Sequence, residues 1–505
     1  MKRTERIARL REKSVSIGTC YEEFGAHFFD YIEKNGCEYN YDSYGDAYIY
    51  ACEQVSVNIS DDELIVGKPS AKFPNEDIEA LWYGKAANSP GRAKANAMWG
   101  QDSHMAIDYE MLLGLGVSGV IARIEGYEKE CLDKEKLAFY ACAKKCLEGV
   151  LHLSERYSEK AKELADKCCD ETRKKELYRI SEICKKVPLN APESFYEAVQ
   201  CAHFVTYCLS NDPQRQYLQY QLGRPDRYLY KFYENDIKNG VITKSQAQEL
   251  IDCLCIQINN RVTRGMSSGY MVGGRDGKSV VVNDLTYMCL DSIENIKLVY
   301  PSVGLCFNKD MPDALLERAC EILSEGCSHP AIFNDDIIAE GLKLYGVPEE
   351  DCYSYIHSTC VEITPIASSN VWVADPYTNT LELLLDILDR EYADFDELKK
   401  ALLEHFAERI KNNFEHMNAV RVYRSENSMF PLVSCFVKDC LAKGTDIDAG
   451  GARYNWIMPS FVGMANLTDS LYAVKKVVFD NKEMSMAELK KIIDSNFEGN
   501  EALRL

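Results

Sequence analysis

The sequence predicts an α/β fold with a closed or nearly closed sheet, and three observations carry that prediction. From Leu137 to Lys186 the chain is apolar at helical spacing with abundant Lys and Glu, the pattern of helices on the outside of a fold. From Leu298 onward short apolar runs alternate with helical ones. At 505 residues and 46% hydrophobic content, the chain is long enough to bury a large core.

The elements follow in order. Pro188 and Pro192 end the first helical stretch, and Ser194 to Leu209 resumes as a helix apolar enough to belong inside. Leu298 to Phe307 reads as a strand, Pro312 to Gly326 as a helix and Pro330 to Phe333 as a short strand. Ile337 to Tyr345 is a helix closed by Gly346, and Tyr353 to Val361 is a strand. Thr468 to Asn481 and Ser485 to Phe497 are helices that close the chain.

Lys and Arg number 58 against 79 Asp and Glu, a formal charge of −21, so nothing draws the chain to phosphate backbones or anionic lipid. Nucleic acid and membrane are therefore not expected partners. Met1 to Lys13 has no apolar signal region and no run approaches a membrane span. With 21 irregularly spaced cysteines, this points to a reducing cytoplasm. Cys168-Cys169 and Cys253-x-Cys255 lack a matching second pair, and the 8 histidines are dispersed, so no metal site is expected.

The densest chemistry lies in Cys360-Val361-Glu362. In an extended segment residues i and i+2 project to one face, which would put the Cys360 thiol and the Glu362 carboxylate into one space. A neighbouring carboxylate raises a thiol's pKa and disfavours an ionic nucleophile. Hydrogen-atom abstraction by a thiyl radical needs no thiolate, and the carboxylate then serves as general base. The alternative reading makes Cys360 a buried strand cysteine and Glu362 a turn or capping residue ahead of Pro365.

Other matching stretches run along the chain in order: Asp61 to Gly67, Pro192 to Ala198, Gly223-Arg224-Pro225-Asp226-Arg227-Tyr228, Gly273-Gly274-Arg275-Asp276, Asn334-Asp335-Asp336, and Gly450-Gly451-Ala452-Arg453-Tyr454-Asn455 continuing into Gly463-Met464-Ala465-Asn466. With the Cys360 motif, they resemble glycyl radical enzymes of the pyruvate formate-lyase superfamily from near the start to the end. The resemblance implies a ten-stranded barrel of two antiparallel five-stranded half-barrels surrounded by helices, occupying 1–505. Its helical outer layer would be prominent in 1–215, with the barrel and a central Cys loop in 216–480. It also implies Cys360 as the thiyl site, Glu362 as acid/base, a small-molecule substrate, a radical-SAM activating enzyme and a homodimer.

Thr359 stands where pyruvate formate-lyase has a second cysteine, so the motif is similar to the dehydratase and lyase branches instead. Many diol dehydratases carry a His-Ser pair ahead of the Gly-Arg-x-Asp motif; Tyr217-Leu218-Gln219-Tyr220-Gln221 has neither, which disfavours glycerol or propanediol. His104 resembles a family histidine that reaches the active site; with Asp108 at i+4 it would share a helix face if the segment is helical, as a substrate contact or a structural His-Asp pair. Gly273 to Gly277 lacks the features of a phosphate loop and reads as a tight turn. Arg453 is either a carboxylate-binding substrate residue or a scaffold arginine.

No Arg-Val-x-Gly-Tyr glycyl loop occurs in these residues. The expectation is a radical lyase, cleaving C–O, C–N, C–S or C–C, with no bound cofactor and inactive as this isolated chain. Its glycyl radical would come from a separate small subunit or from the rest of a longer product. The competing readings are an inactive barrel that binds a metabolite or a partner subunit and, more remotely, an ionic cysteine hydrolase.

Overall fold

The computed structural model describes residues 3–15, 20–84, 104–211, 213, 219–262, 268–358 and 362–505. They gather into two compact units, one of 1–371 with 424–456 and one of 372–423 with 457–505.

Helices dominate the N-terminal part: the helices expected over Leu137 to Lys186 are Lys134–Lys167 and Glu171–Lys186, parting where Asp170 accepts the Arg173 N–H at 2.7 Å as an N-cap. Phe195–Ser210 opens with a Ser194/Glu197 capping box and is buried at every position except Glu197, as its apolar content requires.

Strands β1 (Gly269–Gly273), β4 (Ser302–Phe307) and β5 (Ala331–Asn334) form a parallel sheet in the order β1-β4-β5. The short hairpin of β2 (Arg275–Asp276) and β3 (Ser279–Val280) realises the turn expected from the Gly273 to Gly277 run, with Gly277 at φ +58°. Two extended segments continue the sheet beyond β1: Leu222 donates to the Gly269 carbonyl at 2.8 Å, and Ala106 bridges Gln221 in parallel. The strand ladders of the described residues do not themselves draw ten strands. They give this one sheet and three two-stranded ones, because segments such as 105–107 pair through one or two bonds only.

Residues paired across a sheet share a face, so Met271, Gly304 and Ala331 lie with Gly273, Cys306 and Phe333 on one side. On the other, the Tyr270 hydroxyl donates to the Cys289 carbonyl of the helix Asp284–Ile296, which covers that side.

The antiparallel pair β6 (Tyr355–His357) and β7 (Ile363–Pro365) carries the Cys360 motif between its strands. Of the strand expected over Tyr353 to Val361, the described residues show Tyr355–His357, with the Ser358 N–H donating across to the Glu362 carbonyl at 3.0 Å; 359–361 lie outside the described residues. Strand β8 (Ser369–Asn379) pairs with β9 (Tyr454–Val462). The second unit packs Leu383, Leu388, Leu398, Leu402, Leu467 and Leu489 into its own core. Its expected helix over 468–481 is Met464–Val474 followed by a π-helical turn, Lys475–Asp480.

Candidate active site

Three of the motifs that ran in order along the sequence, those at Gly223, Gly273 and Asn334, meet around the start of β6. Gly223, at φ +64°, turns the chain so that Arg224 is buried beneath it. The Arg224 guanidinium donates to the Tyr355 carbonyl at 3.0 Å and the Gly273 carbonyl at 2.9 Å, and stacks 4.7 Å from the Tyr355 ring centre. Asp226 accepts from the Gly273 N–H at 2.7 Å and from Thr286 at 2.8 Å. Asp335 accepts from the Tyr355 hydroxyl at 2.8 Å and the Arg275 N–H at 2.6 Å. A Cβ at Gly274 would lie 2.8 Å from Cys306 Cβ and 3.0 Å from Asp335, so only glycine fits where these strands converge. This buried polar clamp fixes the backbone that leads to the Cys360 motif.

At the end of β6 the Ser358 hydroxyl, fully buried, donates to the Glu362 carboxylate. Nδ1 of the buried His104 is 3.8 Å from the same carboxylate oxygen. Burial opposes charge on Glu362, but His104 and the Ser358 hydroxyl outweigh it and hold the carboxyl down at about 2. Glu362 is thus an anion at neutral pH, able to accept a proton.

His357 stands beside this pair with 2% of its surface exposed. Its Nδ1 is 2.6 Å from the Ser358 carbonyl, its ring stacks on Phe333 with centres 4.9 Å apart, and its backbone N–H meets the Met271 sulfur at 3.0 Å. Burial pushes its pKa down to about 4, so the imidazole is neutral.

Of the residues singled out from sequence, His104 and Glu362 are brought together. Cys360 lies outside the described residues, as do Thr359, Val361, Tyr217 and Leu218. The helical pairing of His104 with Asp108 is not what forms. Ala106 pairs as extended chain with Gln221, and the Asp108 side chain caps the helix Tyr109–Glu130 by accepting the Met111 N–H at 2.9 Å. Gln219 and Gln221, in the stretch that lacks the His-Ser pair, are fully buried.

Arg453 forms ion pairs with Asp439 and Asp351, each at 3.2 Å. Beside it, a Cβ at Gly451 would fall 2.1 Å from the Thr445 carbonyl oxygen, so the paired glycines serve a close backbone approach. The same loop is pinned from below, where Arg424 and Asp448 pair with 1% of each side chain exposed.

Sequence reasoning missed Ser358 and His357, which directly precede the Cys360 motif, and Gly304, whose place inside an apolar strand signals a close approach. Among the described residues no three His, Cys, Asp or Glu side chains converge to hold a metal ion, and no helix is long and apolar enough to cross a membrane.

The model of a family described as pyruvate formate lyase-like matches residues 75–505. The chain belongs to the pyruvate formate lyase-like family. It is 32% identical over 416 residues to trans-4-hydroxy-L-proline dehydratase of Clostridioides difficile, covering 75% of this chain and 51% of that protein. To (2S)-3-sulfopropanediol dehydratase of Klebsiella oxytoca it is 29% identical, covering 79% of this chain and 53% of that one. The chain therefore spans about half the length of the curated relatives it matches. The glycerol-bound B12-independent glycerol dehydratase of Clostridium butyricum superposes with a TM-score of 0.90 at 27% identity, over 100% of this chain and 75% of that one. In this family member, then, the Gly223, Gly273 and Asn334 motifs are those of the clamp described above.

Proposed function

We propose that this chain is the substrate barrel of a radical lyase or dehydratase acting on a small hydroxylated metabolite, with Cys360 as the hydrogen-abstracting thiyl, Glu362 as general base and His104 as a substrate contact. The observation that carries the proposal is the Glu362 carboxylate, held ionised by Ser358 and His104 two residues from Cys360. A barrel of two antiparallel half-sheets around that loop fits the parallel β1-β4-β5 sheet and its extensions.

Cys360 would become the thiyl by giving its thiol hydrogen atom to a glycyl radical, which would be supplied by a glycyl loop not found among these residues and installed by a radical-SAM activase. Cys360 takes a hydrogen atom from substrate carbon. Glu362 takes a proton from a hydroxyl or amino group on that carbon, and the neighbouring substituent leaves with its bonding electrons. Cys360 returns the hydrogen atom to the product radical. The relatives' names place trans-4-hydroxy-L-proline, (2S)-3-sulfopropanediol and glycerol in the first substrate panel. The missing His-Ser pair puts glycerol last.

Arg453 has its guanidinium fork committed to Asp439 and Asp351, which supports its scaffold reading over a substrate contact.

The test is electron paramagnetic resonance of the chain treated anaerobically with a radical-SAM activase and a polypeptide bearing the glycyl loop. A glycyl doublet in both proteins, with a panel substrate turned over by the unaltered chain and not by Cys360→Ala, supports the proposal. Turnover that does not need Cys360 contradicts it.

A further inference from the structure

A polar cavity lies at the opposite end of the β6–β7 pair from the Cys360 motif. Ser354 and Ile366 close the root of that pair, the Ile366 N–H donating to the Ser354 carbonyl at 2.8 Å, and both border a cavity of about 250 Å³. Three residue pairs separate this root from Ser358 and Glu362, about 13 Å at the rise of a strand.

The charges around the cavity divide between a buried and an exposed side. Arg224 and Arg227 border it from within the fold. Arg224 spends Nε and Nη1 on the Tyr355 and Gly273 carbonyls, and its Nη2 is buried with no hydrogen-bond partner. Arg227 donates through Nη1 to the Tyr353 carbonyl at 3.3 Å and through Nη2 to the Arg275 carbonyl, and its Nε is likewise buried and unpaired. A guanidinium only donates, so both atoms call for an acceptor. Burial and the adjacent Arg224 charge lower the pKa of Arg227, as expected of a cation short of counter-charge.

On the exposed side stand Glu110, Asp276 and Glu350, which take part in no ion pair among the described residues. The other charges of the wall are already matched: Asp351 pairs with Arg453 and Lys438, and Asp108 accepts the Met111 N–H. A lone anion would have to pass three unpaired carboxylates to reach the arginines, and a lone cation would meet two buried guanidinium groups. A molecule carrying both charges satisfies both sides. The volume lies below the roughly 300–1,000 Å³ of pockets for drug-sized ligands, as a ligand of amino-acid size requires.

We propose that this cavity binds a small zwitterion, an α-amino acid, whose carboxylate accepts from Arg224 Nη2 and Arg227 Nε and whose ammonium group faces Glu110, Asp276 and Glu350. The site is separate from the one that holds Glu362, and the inference does not depend on the lyase reading. Arg224 and Arg227 hold the Tyr355 and Tyr353 carbonyls, so the bound carboxylate joins the framework at the root of the pair that carries the Cys360 motif.

The experiment is a thermal-shift screen of the full chain against the common L-amino acids one at a time, followed by calorimetric titration of each that stabilises it and of its deaminated and decarboxylated analogues. The titration is repeated on Arg227→Gln, on the double variant Asp276→Asn with Glu350→Gln, and on Glu362→Gln, with thermal melts to establish that each folds. At least one amino acid should bind, and both of its analogues should bind about tenfold or more weakly, since each lacks one of the two charges that the site pairs. Arg227→Gln and the double variant should each lose about tenfold or more in affinity, and Glu362→Gln none. Should Arg227→Gln fail to fold, the double variant of exposed residues decides alone.

A chain that binds no amino acid overturns the inference. A deaminated acid that binds as well as its amino acid makes this a plain oxyanion site and overturns it too. Binding that is lost in Glu362→Gln and kept in the double variant belongs to the Cys360 site, which also overturns it and leaves the lyase reading standing.

Discussion

His357 fills the space that a side chain at position 304 would need: a Cβ on Gly304 would lie 2.6 Å from His357 Cδ2 and 3.0 Å from Met271 Cγ. β4 and β6 thereby approach through the only residue type without a Cβ. Gly304→Ala should destabilise the chain by about 1–3 kcal/mol, the usual cost of overpacking a core. The cost should largely disappear in a His357→Ala background, where the added methyl has room. Chemical denaturation of the two single variants and the double variant checks this. Additive costs would show that the two positions do not meet.

His104 and Ser358 together set the charge of Glu362. The Ser358 hydroxyl donates to a carboxylate that burial alone would push up, and the carboxyl instead sits at about 2. A hydrogen bond to a charged group contributes about 1.5–3 kcal/mol, equivalent to roughly one to two pKa units. Ser358→Ala should raise the Glu362 pKa by that amount and move the acid limb of the pH–rate profile up with it. Glu362→Gln should lower turnover by about 10²–10⁴-fold, the range for loss of a general base. The profile of the reconstituted enzyme reads both.

Arg224 holds two strands at once through the Tyr355 and Gly273 carbonyls. Arg224→Met removes two charge-assisted bonds from a fully buried position, and the expected loss is on the order of 3 kcal/mol or more. Arg224→Lys should recover little, since an ammonium cannot span both carbonyls in the plane of a guanidinium. Urea midpoints of the two variants check the ranking.

Acid should weaken the fold through three buried histidines, an effect that the burial-raised carboxyls of Asp252, at about 6, and Asp446, at about 7, offset only in part. Burial is the first cause that lowers His27 to about 4, His203 to about 3 and His357 to about 4, against an ordinary value of 6.5. Below pH 6.5 the unfolded chain binds protons at these positions and the folded chain does not, so stability falls as pH drops. At about 1.4 kcal/mol per unit of pKa difference, the three together account for several kcal/mol at the acid end. Urea midpoints should fall steadily from pH 7 to 5. His203→Gln, which can keep a donor toward the Gly67 carbonyl that His203 Nε2 meets at 2.7 Å, should shallow that fall.

Much of this was legible from local sequence. Helix Phe195–Ser210, strand β5 and the turn at Gly277 follow from apolar period, capping residues and glycine, all of which act over a few residues. The role proposed for Glu362 rests on its spacing to Cys360, which lies outside the described residues. What escaped depends on partners far along the chain. Nothing near Gly304 in sequence announces His357, and nothing near Arg224 announces the Tyr355 carbonyl. The helical reading of His104 and Asp108 failed because Asp108 spends its carboxylate on the Met111 N–H, which starts the helix after His104 and leaves the preceding residues free to pair with Gln221.

The central claim is that Cys360 and Glu362 act together on one substrate carbon. Its most direct test is anaerobic turnover of the substrate panel by the chain reconstituted with activase and a glycyl-loop polypeptide, comparing the unaltered sequence with Cys360→Ala. The account predicts product from at least one hydroxylated panel member with the unaltered chain and none above background with Cys360→Ala. Full turnover by Cys360→Ala would contradict it.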